Sequence, residues 1–374
     1  MKHLRKFVMA ALMFCLAVVG VLLHTSSVKA AQTGTVYVSV ERFSLGQGYL
    51  VEPTAVTFTE GENYAQIFDR LMKNNGYRYQ YKGTLTDGFY LESIYNADTG
   101  KLNIPQCIMN MEPSMGSNGG EPENPPTNEN NLGNPDYPNL GEFAYTSQSG
   151  WYYHVNSVAP NVGFSGTKAK DGDVVRFQFT VFGLGKDLGD NGYQGALKYP
   201  NRDAVTKRMA IMRTYPESFN NTAWKNAYNQ AVSVVSNLDS TQAQVTAVTN
   251  ALPDANQINT WITAQKNQAE EQANIKKYTP SKTKLKSAKK QSAKSVRLTW
   301  KKVKGCAGYE VYMSKKKNSG YKKIATLKKA KKVTYTKKKL KKKKTYYFKV
   351  RTYKTVNGKK YYSTFSNVKK VKMK

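Results

Sequence analysis

The chain is poor in the residues that most enzyme chemistry needs. It holds three histidines and three cysteines in 374 residues. His3 and His24 sit near the start, so only His154 remains for the rest of the chain. One histidine excludes a two-histidine metal site and leaves any histidine-based triad resting on a single position. Cys107 and Cys306 stand far apart and fit neither a disulfide framework nor a zinc spacing, so each reads as a buried apolar residue. No phosphate-cradling glycine loop, Gly-x-Ser-x-Gly elbow or His-Glu-x-x-His pair occurs. Asp171 and Asp173 flank Gly172 as turn formers. Asp187, Asp190 and Asn191 lack the spacing of a calcium loop. The sequence therefore reads as non-catalytic, with no metal and no resident cofactor.

Long apolar runs are also scarce. The exception is Phe7 to Leu23, preceded by Lys2, Arg5 and Lys6 and followed by Val28-Lys29-Ala30. Basic residues, an apolar stretch and small residues in that order predict a signal peptide over residues 1–30, cut after Ala30. An uncleaved membrane anchor is the alternative, since the run borders on spanning length. Cys15 as a lipidated cysteine fits poorly, because Leu12-Met13-Phe14 is bulky and the apolar run continues past it. No later segment is apolar enough to cross a bilayer, so the expected address is secreted and extracellular. No Leu-Pro-x-Thr-Gly sorting signal and no Arg-Gly-Asp motif is present.

The third scarcity is acid in one region. Residues 280–374 carry 33 Lys, Arg297 and Arg351 against the single acid Glu310, a net +34, while the whole chain carries +33. One module thus holds all the excess charge. A net charge of roughly 2–8 is enough to keep a small domain soluble, so this excess predicts an anionic partner. Downstream of a signal peptide, that partner is an anionic cell-wall polymer such as teichoic acid, with no specific nucleic acid implied. The candidate polyanion-binding residues are Lys315, Lys316, Lys317, Lys337, Lys338, Lys339, Lys341, Lys342, Lys343 and Lys344. Solubilisation alone is the plainer reading of the same lysines. A surface or host protein or glycan is a further partner class.

Periodicity divides what remains. Thr35 to Val40 alternates as a strand, and Tyr64, Ile67, Phe68, Leu71 and Met72 follow at helical spacing up to Asn74-Asn75-Gly76. Gly88 to Ile94 reads as a strand. Residues 112–141 lose all periodicity and are rich in Gly, Pro and Asn, which predicts a disordered insertion. Ser149 to Asn156 resumes β structure, and Val174 to Val181 alternates as the last strand, with polar residues on one side. Trp151, Tyr152, Tyr153 and His154 are the candidate ligand-binding residues, the aromatic rings being able to stack on a sugar or a flat cofactor. The competing reading puts Trp151 and Tyr153 on the core face with Tyr152 half exposed, and makes His154 an ordinary strand residue.

Residues 201–275 show helical spacing at Trp224, Tyr228, Ala231, Val235 and Leu238, and Thr241 with Gln244 resembles a cap. After residue 280, Val296, Leu298 and Trp300, then Tyr309, Val311 and Met313, then Tyr346, Phe348 and Val350, keep period two with Lys on the other face.

Three resemblances follow. The strand, the helix after Gly61-Glu62-Asn63, the 149–156 Ser-Gly-Trp-x-Tyr-x-Val-Asn stretch, Lys170 to Val175 and Gly185-Lys-Asp-Leu-Gly189 resemble the C-terminal, β-grasp-type domain of transcobalamin. That likeness implies a corrinoid-like ligand, although the family pairs this domain with a helical barrel for which this chain offers no candidate. Asn237 to Leu252 is similar to FIVAR repeats, and reads equally as a plain helical spacer. Residues 280–374 resemble a fibronectin type III domain, Leu340 and Tyr346 reproducing its tyrosine corner. The expected organisation is multi-domain. A signal peptide (1–30) precedes an α+β β-grasp-like domain (31–195) and a short helical bundle or spacer (200–275), and an all-β fibronectin type III sandwich (280–374) follows. The function expected is that of a cell-wall-associated binding or adhesion protein, with corrinoid-like small-molecule binding as the alternative.

Overall fold

The structure is a computed structural model that describes residues 32–115, 121–128, 133–189 and 197–374. The segment 1–30 with Cys15, and Asp190 and Asn191, lie outside the described residues. The chain divides into two compact units, one ending at Ile258 and the other spanning Asn259–Lys374.

The first unit is built on a four-stranded mixed sheet. Strands β1 (Thr33–Glu41) and β2 (Tyr49–Thr59) form an antiparallel hairpin. Helix α1 (Tyr64–Asn74) follows, its first turn closed by a capping box between Asn63 and Gln66. Strands β3 (Tyr79–Lys82) and β4 (Tyr90–Ile94) come next. Then come the short helix α2 (Gln106–Met109), the paired β5 (Ser114–Met115) and β6 (Pro122–Glu123), and β7 (Leu140–Gly141). Strands β3, β4 and β7 make a small second sheet in that order. Strand β8 (Gly150–Val155) runs antiparallel to β9 (Val174–Thr180), and β9 inserts beside β1 and parallel to it, giving the order β2-β1-β9-β8.

Alternation splits this sheet into two unlike faces. Val38, Val40, Phe177, Phe179, Trp151 and Tyr153 share the face toward α1, where the Phe68 ring meets Phe177 at 4.7 Å. Ser39, Glu41, Arg176 and Gln178 share the other. The second face of β9 carries polar residues, yet all of β9 is buried. Helix α3 (Asp203–Thr214) covers that face, and its Lys207 ammonium lies 4.8 Å from the Tyr37 ring. Three of the polar groups beneath are joined: Arg176 bonds Glu41 at 2.7 Å and Ser39 donates to the same carboxylate at 2.6 Å.

The helices after residue 200 are therefore not a spacer between modules. Helices α3, α4 (Thr222–Ser236) and α5 (Gln242–Ala251) belong to the first unit. Tyr228 on α4 donates to Glu52 of β2 at 2.8 Å, and Asp239 accepts from the Gln106 and Cys107 amides at 3.2 and 3.1 Å. The expected boundary near 195–200 moves to Ile258 because the second sheet face needs covering. Helix α6 (Ala255–Tyr278) carries the chain across that division, and Ile258 is its buried residue.

The stretch 112–141 also departs from expectation wherever it is described. Leu140 is fully buried and its carbonyl accepts from the Trp151 indole at 2.9 Å. Asn134 donates to Asp98 and Asn128 accepts from the Ile104 amide, both at 2.6 Å. Side-chain amides fix this segment where no apolar periodicity exists, which is why the pattern of hydrophobic residues did not reveal it.

The second unit contains two facing sheets. Strands β10 (Leu285–Ser292), β11 (Ser295–Trp300) and β14 (Thr334–Lys337) form one. Strands β12 (Gly308–Ser314), β13 (Lys322–Leu327), β15 (Thr345–Val356), β16 (Lys359–Tyr362) and β17 (Lys369–Lys372) form the other. Trp300 and Tyr309 meet in the core at 5.4 Å between ring centres. Asn357 and Gly358 take φ of 46° and 77° between Val356 and Lys359, the positive pair that a tight hairpin turn requires. Tyr346 is buried six positions after buried Leu340, and its hydroxyl accepts from the Lys341 amide at 3.1 Å.

Tyr346 should therefore be a stability determinant. Truncating a buried aromatic costs about 3–5 kcal/mol, so Tyr346→Ala lowers the melting temperature of this unit steeply. Tyr346→Phe, which removes only the hydrogen bond, costs about 1 kcal/mol. Tyr347→Ala on the half-exposed neighbour changes it little. Thermal unfolding followed by circular dichroism separates the three, and equal losses at 346 and 347 contradict the observed register.

Candidate functional site

Two features of the molecule have the form of binding sites. The first is a cleft of about 530 Å³ in the first unit, beside strand β8. All four candidate residues, Trp151, Tyr152, Tyr153 and His154, line it. They do so unequally. Trp151 and Tyr153 are buried on the α1 face, with Trp151 edge-on to Phe179 at 5.2 Å and Tyr153 edge-on to Phe164 at 4.7 Å. The Tyr153 hydroxyl donates to the Val162 carbonyl at 3.0 Å, and burial raises its pKa. Tyr152 is half-buried on the opposite face, while His154 is buried across from Arg176.

The rest of the lining was not expected from the sequence. Tyr90, Phe143, Val162 and Leu184 all line the cleft and are each about half exposed. Phe143 and Leu184 stand on left-handed backbone, with φ of 61° and 53°. Bulky residues seldom occupy that region, and strain of this kind gathers at functional sites. Gly185 follows at φ 93°, and a Cβ there would meet the Tyr152 ring at 3.1 Å, so the turn lies against Tyr152 only because the residue is glycine. Phe143 gave no signal, lying just after the aperiodic stretch.

The Gly183–Leu188 turn that forms one wall is anchored from within by Asp187, which is fully buried. Its carboxylate accepts from the Val181 amide at 2.8 Å and the Phe182 amide at 3.2 Å, and contacts the Thr180 hydroxyl closely. That hydroxyl also lies 3.2 Å from the Phe182 carbonyl and accepts from the Gly185 amide at 3.1 Å. One hydroxyl proton cannot serve both oxygens. A protonated Asp187 donating to Thr180, which donates to Phe182, satisfies every group. Burial raises the Asp187 pKa to about 7, the hydrogen bonds offsetting part of the rise.

The folded pKa is thus above the value of an unfolded aspartate, near 3.9. The folded form binds the proton more tightly, so stability present below that value is lost as pH rises through about 7. The melting temperature of the first unit should fall between pH 5 and 8, and Asp187→Asn, which copies the neutral form, should flatten that dependence. An unchanged pH profile in the variant contradicts the assignment.

The second feature is the lysine surface of the second unit. Lys315, Lys316, Lys317, Lys338, Lys339, Lys341, Lys342, Lys343 and Lys344 are exposed, and Lys337 is half-buried. The lysines at 337–344 run from the end of β14 through the turn that leads into β15, on either side of the Leu340 anchor. The one acid of residues 280–374, Glu310, is fully buried, with Arg351 at 2.7 Å and Lys323 at 3.0 Å. Burial would raise its carboxyl, but hydrogen bonds from Arg351, Lys323 and Tyr312 outweigh that and hold its pKa below the ordinary value. Arg351 also stacks on Tyr362 at 3.8 Å, and Lys349 lies between Phe365 at 3.9 Å and Tyr321 at 4.1 Å. These cations are compensated, as is exposed Lys359, which bonds Glu271 at 2.6 Å, whereas no ion pair among the described residues involves the lysines at 315–317 or 337–344.

Among the described residues no group of three or more His, Cys, Asp or Glu could hold a metal ion, and no helix is long and apolar enough to cross a membrane. Cys306 is buried and donates to the Val303 carbonyl at 3.3 Å, while Cys107 is half-buried beside the Tyr199 hydroxyl.

No protein-family model and no curated protein matches the chain. Among solved structures, an Fn3-like protein from Clostridium thermocellum is similar at 27% identity, covering 24% of this chain and 88% of that one, with a TM-score of 0.21. A human fibronectin type III domain is similar at 24% identity over 28% of this chain and 80% of that one, TM-score 0.22. A β-1,2-glucanase from Parabacteroides distasonis is similar at 18% identity over 25% of this chain and 13% of the enzyme, TM-score 0.22. Each likeness is the size of one module of this chain.

Proposed function

We propose that this chain is an exported, non-catalytic binding or adhesion protein, retained on anionic wall polymer by its C-terminal sandwich. The observation that carries the reading is the placement of charge. Of the titratable side chains in residues 280–374, the one acid is buried and paired while the lysine runs stand in solvent. A surface of one sign, made of flexible ammonium groups, suits a flexible polyanion better than a single planar phosphate or sulfate. Arg297 and Arg351 are the only guanidinium groups there, and Arg351 is engaged with Glu310.

A second reading gives the first unit a small-molecule role. Its hairpin, helix and last strand parallel to the first agree with the β-grasp-type resemblance to transcobalamin, and the aromatic cleft favours a flat apolar ligand. A signal peptide over residues 1–30 remains part of the reading.

Salt is the discriminating variable. The Debye length falls from about 8 Å at physiological ionic strength to about 3 Å at 1 M. Binding of the protein to Gram-positive walls should therefore be lost across that range, and should drop when teichoic acid is stripped. Replacing Lys341, Lys342, Lys343 and Lys344 by Ser should weaken retention at physiological salt without lowering the melting temperature. Retention that survives about 1 M salt contradicts the electrostatic anchor.

A further inference from the structure

The edge of strand β8 narrows what the cleft can hold. Strand β9 bonds β8 from one side only. The Asn156 amide donates to the Val174 carbonyl at 2.9 Å, and this sets the phase of the ladder. His154, Tyr152 and Gly150 turn their main-chain groups toward β9, while Val155, Tyr153, Trp151 and Ser149 turn theirs away. At one end Ser149 is closed off, its carbonyl accepting from the Phe143 amide at 3.1 Å. At the other end Val155 exchanges both bonds with Val158, at 2.9 and 3.0 Å. Between these closures, Trp151 and Tyr153 have no partner for their N–H and C=O groups among the described residues.

Four main-chain groups thus face the cleft in the alternation of an unpaired strand. Residues two apart on a strand lie about 6.8 Å from each other, the repeat of another extended chain. A flat hydrocarbon ring offers nothing to such a row, whereas a peptide backbone offers a donor and an acceptor to each residue. The lining supplies the apolar part: Phe89 just before β4, Leu91 within it, and Phe143 and Leu184, the last two on left-handed backbone.

We propose that the cleft binds an extended peptide segment with apolar side chains, which adds to the free edge of β8 at Trp151 and Tyr153. The proposal rests on the reading of this protein as a binding protein and names the ligand class of the first unit. It does not depend on the lysine anchor.

Amide hydrogen exchange of the full chain, read residue by residue, tests it. In the free protein the Trp151 and Tyr153 amides should exchange faster than those of Tyr152 and His154. The probe is the peptide N-acetyl-Ser-Val-Phe-Val-Ser-amide at up to about 1 mM, the weak end of specific affinity. Binding should slow exchange at Trp151 and Tyr153. The same peptide N-methylated at alternate amides keeps its side chains but loses two hydrogen bonds, which lowers affinity about tenfold. Phe143→Ala and Leu184→Ala, both at exposed rim positions, should weaken binding while leaving the melting temperature in place. Three results would overturn the proposal: amides at 151 and 153 already protected in the free chain, no protection at the top peptide concentration, or equal binding of the N-methylated peptide. Protection produced by a corrinoid instead of the peptide transfers the cleft to the small-molecule reading. Protection that rises with protein concentration alone identifies a second copy of the chain as the occupant. Loss of wall retention in high salt bears on the anchor and leaves these outcomes unaffected.

Discussion

The first unit depends on β9 being buried on both faces. A strand with a wholly apolar second face could be covered by any apolar helix. Here that face carries Glu41 and Arg176, joined at 2.7 Å with side chains 1% and 7% exposed. Removing one partner of such a pair leaves an uncompensated buried charge, a loss of about 3–5 kcal/mol. The pair is therefore stable only with α3 in place above it and Ser39 bonded beside it. Arg202, also fully buried, lies at the start of the same helix, and burial together with the neighbouring Arg176 lowers its pKa to about 10. Helices α3, α4 and α5 thereby belong to one compact unit with the sheet. The cleft inherits its shape from this arrangement, since β8 hangs on β9 and the Gly183–Leu188 turn leaves the end of β9.

The second unit solves a different problem. Its charge would oppose any compact fold if the ammonium groups lay close together in a low dielectric. The sandwich keeps them apart from its core: Leu298, Trp300, Tyr309, Phe348 and Val350 fill the interior, and the lysines occupy turns and outward positions. Where cations do lie on a sheet surface, rings and the Glu310 carboxylate compensate them. Arg351 contacts both, bonded to Glu310 and stacked on Tyr362.

How much of this was legible in the sequence depends on which force fixes each part. Period-two patterns backed by a large core could be read directly, as in β11, β12 and β15, and so could caps such as Thr241 with Gln244. What failed were places where polar atoms fix the structure. Arg176 and Gln178 look solvated until the helix that covers them is known. Asn128 and Asn134 order a stretch without hydrophobic rhythm. The candidate site was half legible: the aromatic run 151–154 stood out, but Phe143, Val162 and Leu184 arrive from loops far apart in sequence, and no local spacing brings them together.

The same contrast separates the two candidate sites in kind. On the reading proposed above, the lysine surface acts through net charge, a mode that is long-ranged, tolerant of polymer sequence and sensitive to salt. The cleft works through short-range groups: half-exposed rings and a free strand edge whose hydrogen bonds need close contact and correct direction. A charge-driven contact concentrates the protein near a surface without choosing what it holds there. A main-chain edge between apolar walls chooses by backbone conformation and side-chain size while contributing little at a distance. The two proposed roles therefore differ in how substitution affects them: retention by charge rests on many weak contacts that no single substitution removes, and selection at a strand edge rests on few contacts that a single substitution can.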